Sequence, residues 1–166
     1  LGDVIAGLKH DFMHTGEVLY MNNTEQEQFA AEIIATVVYR VFVERFRNGL
    51  VEYMTAYGSV PTEDEVRQLI DRSLMRFFGI KGNHDMWQER EGNTALTVFY
   101  GHLVSLLISH LQRFMFESGF PTISMEPLIR KKELLLPEYQ PFFELPSGIK
   151  VGLIHPHMAR AGTTSL

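Results

Sequence analysis

The residues of this sequence best suited to chemistry are Gly82-Asn83-His84-Asp85, because Asn and His are neighbours there in a glycine-containing turn. An asparagine carbonyl oxygen is a hard, neutral metal ligand, and an imidazole gives or takes a proton near neutral pH. Gly82 allows the backbone to pass close to a ligand. The alternative interpretation is a simple helix-to-helix connection, since Asn and Asp also favour turns.

Two further segments place a metal-ligand residue beside a short apolar run. Asp3 lies in residues 1–5, and His155 lies in residues 151–157. In open α/β sheets, sites gather at the carboxyl ends of strands, so Asp3, Asn83 and His155 are predicted to meet around divalent cations. Such a mixed oxygen and nitrogen ligand set suits Mn²⁺, Fe or Zn²⁺ better than Ca²⁺. The competing interpretations are a Gly-Asp turn and a buried histidine at the end of a strand.

These segments resemble the calcineurin-like metallophosphoesterases, whose hallmark is Gly-Asp, then Gly-Asn-His-Asp or Gly-Asn-His-Glu, then a strand running into His. Gly2-Asp3, the tetrapeptide at 82–85 and Ile154-His155 follow in that order. Within the family, the sequence looks closest to the repair-nuclease and phage or archaeal branches. The family's first motif, Asp-x-His, and its last, Gly-His-x-His, are absent from this sequence. We therefore expect a partial chain covering the middle of the catalytic domain.

The resemblance implies a site with two divalent metal ions, Mn²⁺ first and Fe, Zn²⁺ or Mg²⁺ as alternatives. By that resemblance Asp3 would bridge the two ions, and Asn83 and His155 would together hold one of them. The implied activity is metal-dependent phosphoester hydrolysis of the phosphodiesterase or nuclease type. The implied substrate is a phosphoester, with DNA as a candidate. Activity is expected of the longer parent protein, and this fragment alone could be inactive.

The resemblance also implies roles for side chains that bind no metal. His84 would protonate the leaving group or neutralise the charge on it, and Asp85 would orient the turn that carries His84. Two residues beyond the strand complete the predicted site. His157 would orient a metal ligand, and Arg160 would bind a phosphate oxygen. The alternative for both is an ordinary exposed position.

Composition limits the class of protein. The 166 residues are 45% hydrophobic and 21% charged, with a net charge of −5, which predicts one globular domain over residues 1–166. The resemblance implies an α/β fold, a sandwich of mixed sheets flanked by helices, here as a helix-rich part of that domain. No cysteine is present, which excludes disulfides and thiolate sites. No stretch approaches the roughly 20 apolar residues of a membrane span, so we expect no membrane partner and a cytoplasmic location.

Hydrophobic spacing predicts three helices. The first begins at a capping box of Thr24 and Glu27 and ends near Gly49, with residues 50–57 left open between helix and strand. The second begins at a capping box of Thr62 and Glu65 and ends at Gly79. The third runs from 94 to about 117 after an Asn93 cap. The apolar stripes expected to face the core are Phe29, Ile33, Val37 and Val41, widened by Ala30, Ile34, Val38 and Phe42, in the first helix; Val66, Leu69, Ile70, Leu74 and Phe77 in the second; and Leu96, Phe99, Leu103, Leu106, Leu107, His110, Leu111 and Phe114 in the third.

The last part of the sequence is predicted to be irregular, with short strands. Residues 121–147 are proline-rich, Ser147-Gly148 is a predicted turn, and residues 149–154 form the most convincing strand. The long amphipathic helices also support a different class of function. In that alternative the protein is a non-enzymatic helical interaction protein or homodimer, or a degenerate phosphoesterase domain that binds without cleaving.

Overall fold

The computed structural model describes residues 22–75, 97–131, 142–145 and 147–152. Helices dominate these residues, and the two strands are short and form one antiparallel pair. In chain order the elements are α1 (Asn23–Tyr57), α2 (Glu63–Ser73), α3 (Thr97–Glu117), α4 (Met125–Lys131), β1 (Phe142–Glu144) and β2 (Lys150–Gly152).

Helix α1 begins two residues earlier than predicted, and its cap is different. Asn22 is the N-cap, and its side-chain oxygen Oδ1 accepts a hydrogen bond of 2.7 Å from the Thr24 N–H. The predicted capping box of Thr24 and Glu27 is therefore wrong. Glu27 is buried and accepts a hydrogen bond from the Phe99 N–H of α3. A tertiary hydrogen bond has replaced the local one that the spacing predicted.

Helix α1 also continues beyond its predicted end. The expected stop near Gly49 is wrong, and residues 50–57 extend the helix to Gly58, whose φ of 66° is the left-handed conformation of a glycine cap. Gly49 instead marks the closest approach of α2. A Cβ at Gly49 would lie 3.2 Å from Leu69 Cδ2, so the missing side chain lets the two helices pack tightly.

The buried face of α1 is not the one that the apolar stripe predicted. The helix has apolar residues on much of its circumference, and the face that is buried in the core carries two alanines. Ile33 and Val37, expected in the core, are 48% and 49% exposed. The buried residues of α1 are Gln26, Glu27, Ala31, Ala35, Val38, Phe42 and Phe46, so of the predicted residues only Val38 and Phe42 are confirmed as fully buried.

The capping box at the start of α2 is confirmed. The Thr62 Oγ1 accepts from the Glu65 N–H at 3.4 Å, and the Glu65 carboxylate accepts from the Thr62 N–H at 2.7 Å. The helix ends at Ser73 with Leu74 as its C-cap, earlier than predicted. The expected core residue Phe77 and the expected stop at Gly79 lie outside the described residues.

Helix α3 runs parallel to α1 and forms the larger part of the core with it. Phe99 contacts α1 at Glu27, whereas Phe114, further along α3, packs edge-on against Phe42 and Phe46. The end of α3 at Glu117 is confirmed, while its predicted Asn93 cap is outside the described residues. The predicted core positions Phe99, Leu103, Leu107, Leu111 and Phe114 are confirmed, Leu106 is half-buried, and His110 is exposed, which makes that prediction wrong.

Helix α4 forms in the segment that was predicted to be irregular. The Gln112 side chain of α3 holds it in place: its Nε2 donates to the Ile123 carbonyl at 3.1 Å, and its Oε1 accepts from the Met125 N–H at 2.9 Å. Ile123, Met125 and Ile129 are buried against α3. Packing against a neighbouring helix therefore stabilises a helix too short to be stable by itself.

The α/β sandwich expected from the resemblance is wrong for the described residues, which are predominantly helical. Apolar side chains with helical spacing bury one another between α1, α2, α3 and α4 in a single cluster. The predicted strand at 149–154 is described only as β2, which pairs with β1 around the confirmed turn at Ser147-Gly148. No described helix is long and apolar enough to cross a membrane.

Candidate functional site

The predicted site residues lie outside the part of the chain that the structure describes. This applies to the predicted metal ligands, to the catalytic residues and to the two residues expected beside them. Within the described ranges, no group of three or more His, Asp or Glu side chains could hold a metal ion. The residues concerned are Asp3, Asn83, His84, Asp85, His155, His157 and Arg160.

Two of the predicted segments precede α1 and α3 in the sequence, and the described helices show how the starts of α1 and α3 lie relative to each other. Because α1 and α3 are parallel, the start of α1 lies beside the first described turn of α3. The link is direct, since the buried Glu27 carboxylate accepts a 2.7 Å hydrogen bond from the Phe99 N–H. Asp3 precedes α1 in the sequence, and Asp85 precedes α3. Both predicted segments therefore precede, in the sequence, helices that start at the same end of the helical core.

This shared end is polar for a packed helix interface. Asn23 Oδ1 and His102 Nε2 are buried atoms without a hydrogen-bond partner in the described part of the structure. The Nε2 atom of His102 lies 3.8 Å from Glu32 Oε1, too far for a hydrogen bond. Helix N-termini carry a partial positive charge, which complements the Glu27 carboxylate between them.

A second feature is an open groove of about 540 Å³ between the C-terminal half of α1 and α2, called here the α1–α2 groove. Arg45 and Arg72 lie at one end of it, and Tyr53 and Tyr57 lie towards the other. No described residue forms an ion pair or a hydrogen bond with either arginine side chain. The residues that line the groove are Arg45, Asn48, Gly49, Glu52, Tyr53, Ala56, Tyr57, Leu69, Arg72 and Ser73.

One tyrosine of the α1–α2 groove is held by the capping box of α2. The Tyr53 hydroxyl is hydrogen-bonded to the Glu65 carboxylate, and this bond raises the pKa of Tyr53 above its ordinary value. Hydrogen bonds, first from the Thr62 side chain and then from Tyr53, lower the pKa of Glu65. The Tyr53 ring lies 4.7 Å from the Tyr57 ring, at an angle of 38°. Tyr57 therefore rests on a fixed neighbour while 71% of it is exposed.

A smaller groove of about 430 Å³ lies between α1 and α3 and also contains basic residues. Its charges are more nearly satisfied than those of the α1–α2 groove. Arg113 pairs with Glu117 at 2.8 Å, and that hydrogen bond raises the pKa of Arg113. The His110 ring packs edge-on against Tyr39 at 5.7 Å. We regard this groove as the weaker candidate for an anionic ligand.

No family model, no curated protein and no solved structure matches this chain. The metallophosphoesterase resemblance therefore rests on the three short segments quoted above.

Two features of the described structure were missed at the sequence level. Glu27, Ala31 and Ala35 are four residues apart and lie on one face of α1. This spacing of a carboxylate and two small residues could have predicted that Glu27 is buried against another helix. The position of Arg45 opposite Arg72 could not be predicted from the sequence, because it depends on the register between two helices.

Proposed function

We propose that this chain is part of a metal-dependent phosphoester hydrolase, of the phosphodiesterase or nuclease type. The observation that carries the proposal is the parallel pairing of α1 and α3, joined at their starts by the Glu27–Phe99 hydrogen bond. The segment with Asp3 leads into α1, and Gly82-Asn83-His84-Asp85 leads into α3. Parallel elements with adjacent starts are a geometry in which ligands from two distant segments can share one site.

When bound, two divalent cations would neutralise charge on the phosphate and supply a more acidic water molecule as the nucleophile. Asp3, Asn83 and His155 would hold the cations, for which Mn²⁺ is the first choice. His84 would donate a proton to the departing oxygen, and Asp85 would orient it. The substrate proposed is a phosphodiester, with DNA as a candidate, and the location proposed is the cytoplasm.

The test is whether Asp3 and Asn83 act on the same metal. Mn²⁺ binding to this chain is measured by calorimetry for Asp3→Ala, for Asn83→Ala and for the double variant. Shared coordination predicts that the double variant loses less affinity than the sum of the single losses. Asp64→Ala and Asn48→Ala, which change the same residue types on α2 and α1, should leave binding unchanged.

Hydrolysis of bis(p-nitrophenyl) phosphate by the longer parent protein gives the second readout. His84→Ala should retain Mn²⁺ binding and slow turnover, whereas Asn83→Ala should abolish both. Strictly additive effects of Asp3→Ala and Asn83→Ala on Mn²⁺ binding, or unchanged turnover in excess chelator, would contradict the proposal.

A second candidate is a helical interaction protein that forms a homodimer. The observation in its favour is the exposure of Ile33 and Val37 on one side of α1, about half of each side chain being accessible. Contact of this side with a second copy would bury apolar surface now in water. Sedimentation analysis of Ile33→Glu tests it, since a dimer that uses this face should dissociate. Ser105→Glu, on the exposed side of α3, is the matched control.

A further inference from the structure

We propose that the α1–α2 groove binds single-stranded nucleic acid, with phosphates at Arg45 and Arg72 and a base on the ring of Tyr57. The proposal rests only on the described residues that line the groove, none of which is a predicted metal ligand. The inference therefore does not rest on the proposed hydrolase activity.

The register of α1 and α2 brings the two arginines together. The helices are antiparallel: Gly49 lies opposite Leu69, and Tyr53 is bonded to Glu65. One turn further along, Arg45 comes opposite Arg72, and both side chains line the groove. Neither guanidinium group pairs with a carboxylate among the described residues, and such groups are suited to phosphate oxygens, which they bind through paired N–H donors.

The charge of the groove contrasts with that of the whole chain. The protein has a net charge of −5, but the described residues that line the groove include two arginines and one carboxylate, that of Glu52. The nearby Glu65 carboxylate accepts hydrogen bonds from Thr62 and Tyr53. The groove is therefore a local basic site on an acidic protein, so binding should involve few phosphates.

The aromatic end of the groove is suited to stacking. The Tyr53 hydroxyl is fixed by Glu65, and the Tyr53 ring supports the Tyr57 ring at 4.7 Å. A ring held on one side and exposed on the other can stack on a base at little entropic cost, and stacking of this kind tolerates any base. Tyr57 thus provides a stacking contact that does not depend on which base it meets.

The length of the groove favours a strand over a mononucleotide. Arg45 and Tyr57 are three helical turns apart, which corresponds to about 18 Å at 1.5 Å per residue. Stacked nucleotides in one strand repeat at about 3.4 Å, so several of them fit between the two ends. A single nucleotide could occupy only one end.

The test is fluorescence anisotropy of a labelled oligothymidine of twelve nucleotides, titrated with the whole chain in chelator at several salt concentrations. For two phosphate contacts on a single strand, log K should fall with log salt at a slope of about −1.4. Arg45→Gln or Arg72→Gln should halve that slope to about −0.7. Tyr57→Ala should weaken binding about tenfold and leave the slope unchanged.

Two matched variants serve as controls. Arg67→Gln removes a charge from α2 outside the groove, and Phe116→Ala removes an aromatic ring that is 69% exposed on α3. Both should bind as the unmodified protein does, and helical circular dichroism confirms that each variant is folded. A slope unchanged by Arg45→Gln and Arg72→Gln would overturn the proposal. So would competition by polyglutamate equal to that by oligothymidine, or equal affinity for thymidine monophosphate.

Discussion

Replacing Glu27 by alanine should destabilise the fold more than any other change to a charged residue in the described structure. The carboxylate is 1% exposed, and its Oε2 accepts from the Phe99 N–H at 2.7 Å. A hydrogen bond to a charged group contributes about 1.5–3 kcal/mol. A carboxylate at the start of a helix adds about 0.3–1 kcal/mol. Glu27→Ala should therefore lower the free energy of unfolding by about 2–4 kcal/mol.

Two further variants separate the hydrogen bond from the charge. Glu27→Gln keeps an oxygen acceptor for the Phe99 N–H and should lower the free energy of unfolding by only about 1 kcal/mol. Glu32→Ala removes a carboxylate that is 60% exposed and lies 3.8 Å from His102 Nε2, so its effect should stay below about 0.5 kcal/mol.

Urea unfolding followed by circular dichroism gives these free energies, and amide hydrogen exchange gives a local readout at Phe99. We expect Phe99 exchange to accelerate in Glu27→Ala and to stay nearly unchanged in Glu32→Ala. Equal free energies of unfolding for these two variants, or an unchanged exchange rate at Phe99, would refute the interpretation of Glu27 as the link between α1 and α3.

Three other perturbations test the fold. A hydrogen bond from Thr62 lowers the pKa of Glu65, so the Glu65 carboxylate stabilises α2 above its unfolded pKa of about 4.3, and this stabilisation is lost as the pH falls through the folded-state pKa. The difference in Tm between Glu65→Gln and the unmodified protein should therefore shrink from pH 7 to pH 3. A constant difference would contradict this. Gly58→Ala places a side chain at φ 66° and should cost about 1 kcal/mol in urea unfolding, whereas no cost would argue against the left-handed cap. Phe46→Ala should cost about 3–5 kcal/mol by the same measurement, and a loss as small as that of the exposed Phe116→Ala would contradict a packed core.

Helix positions could be predicted from the sequence where the signal is local. The Thr62–Glu65 capping box satisfies backbone donors within one turn, so its sequence pattern was sufficient. The buried face of α1 could not be predicted in this way. That helix has apolar residues on several sides. How closely α3 approaches decides which side is buried: the one with Phe29, Ile33 and Val37, or the one with Ala31 and Ala35. Small side chains permit the closer approach, but only the position of α3 shows that this approach is used.

The error in fold class has a different cause. The α/β expectation came from a resemblance carried by three short segments, whereas helical spacing covers most of residues 22–131. The prediction that residues 149–154 form a strand of a sheet rests on their almost entirely apolar character. In the structure, β2 pairs only with β1 among the described residues, and its first residue, Lys150, is exposed. A local apolar run predicts a strand but does not predict how many partners that strand has.

The parallel arrangement of α1 and α3 also constrains how the chain must travel between them. The distance along α1 from Tyr57 to Glu27 is about 45 Å. Helix α2 runs back along α1, and its eleven residues cover about 16 Å of that distance. The end of α2 and the start of α3 are therefore about 28 Å apart along the axis of α1, a distance that about nine extended residues would span. Residues 76–96 join α2 to α3 in the sequence, and they include Gly82-Asn83-His84-Asp85. The sequence between α2 and α3 is therefore long enough to bring the start of α3 beside the start of α1.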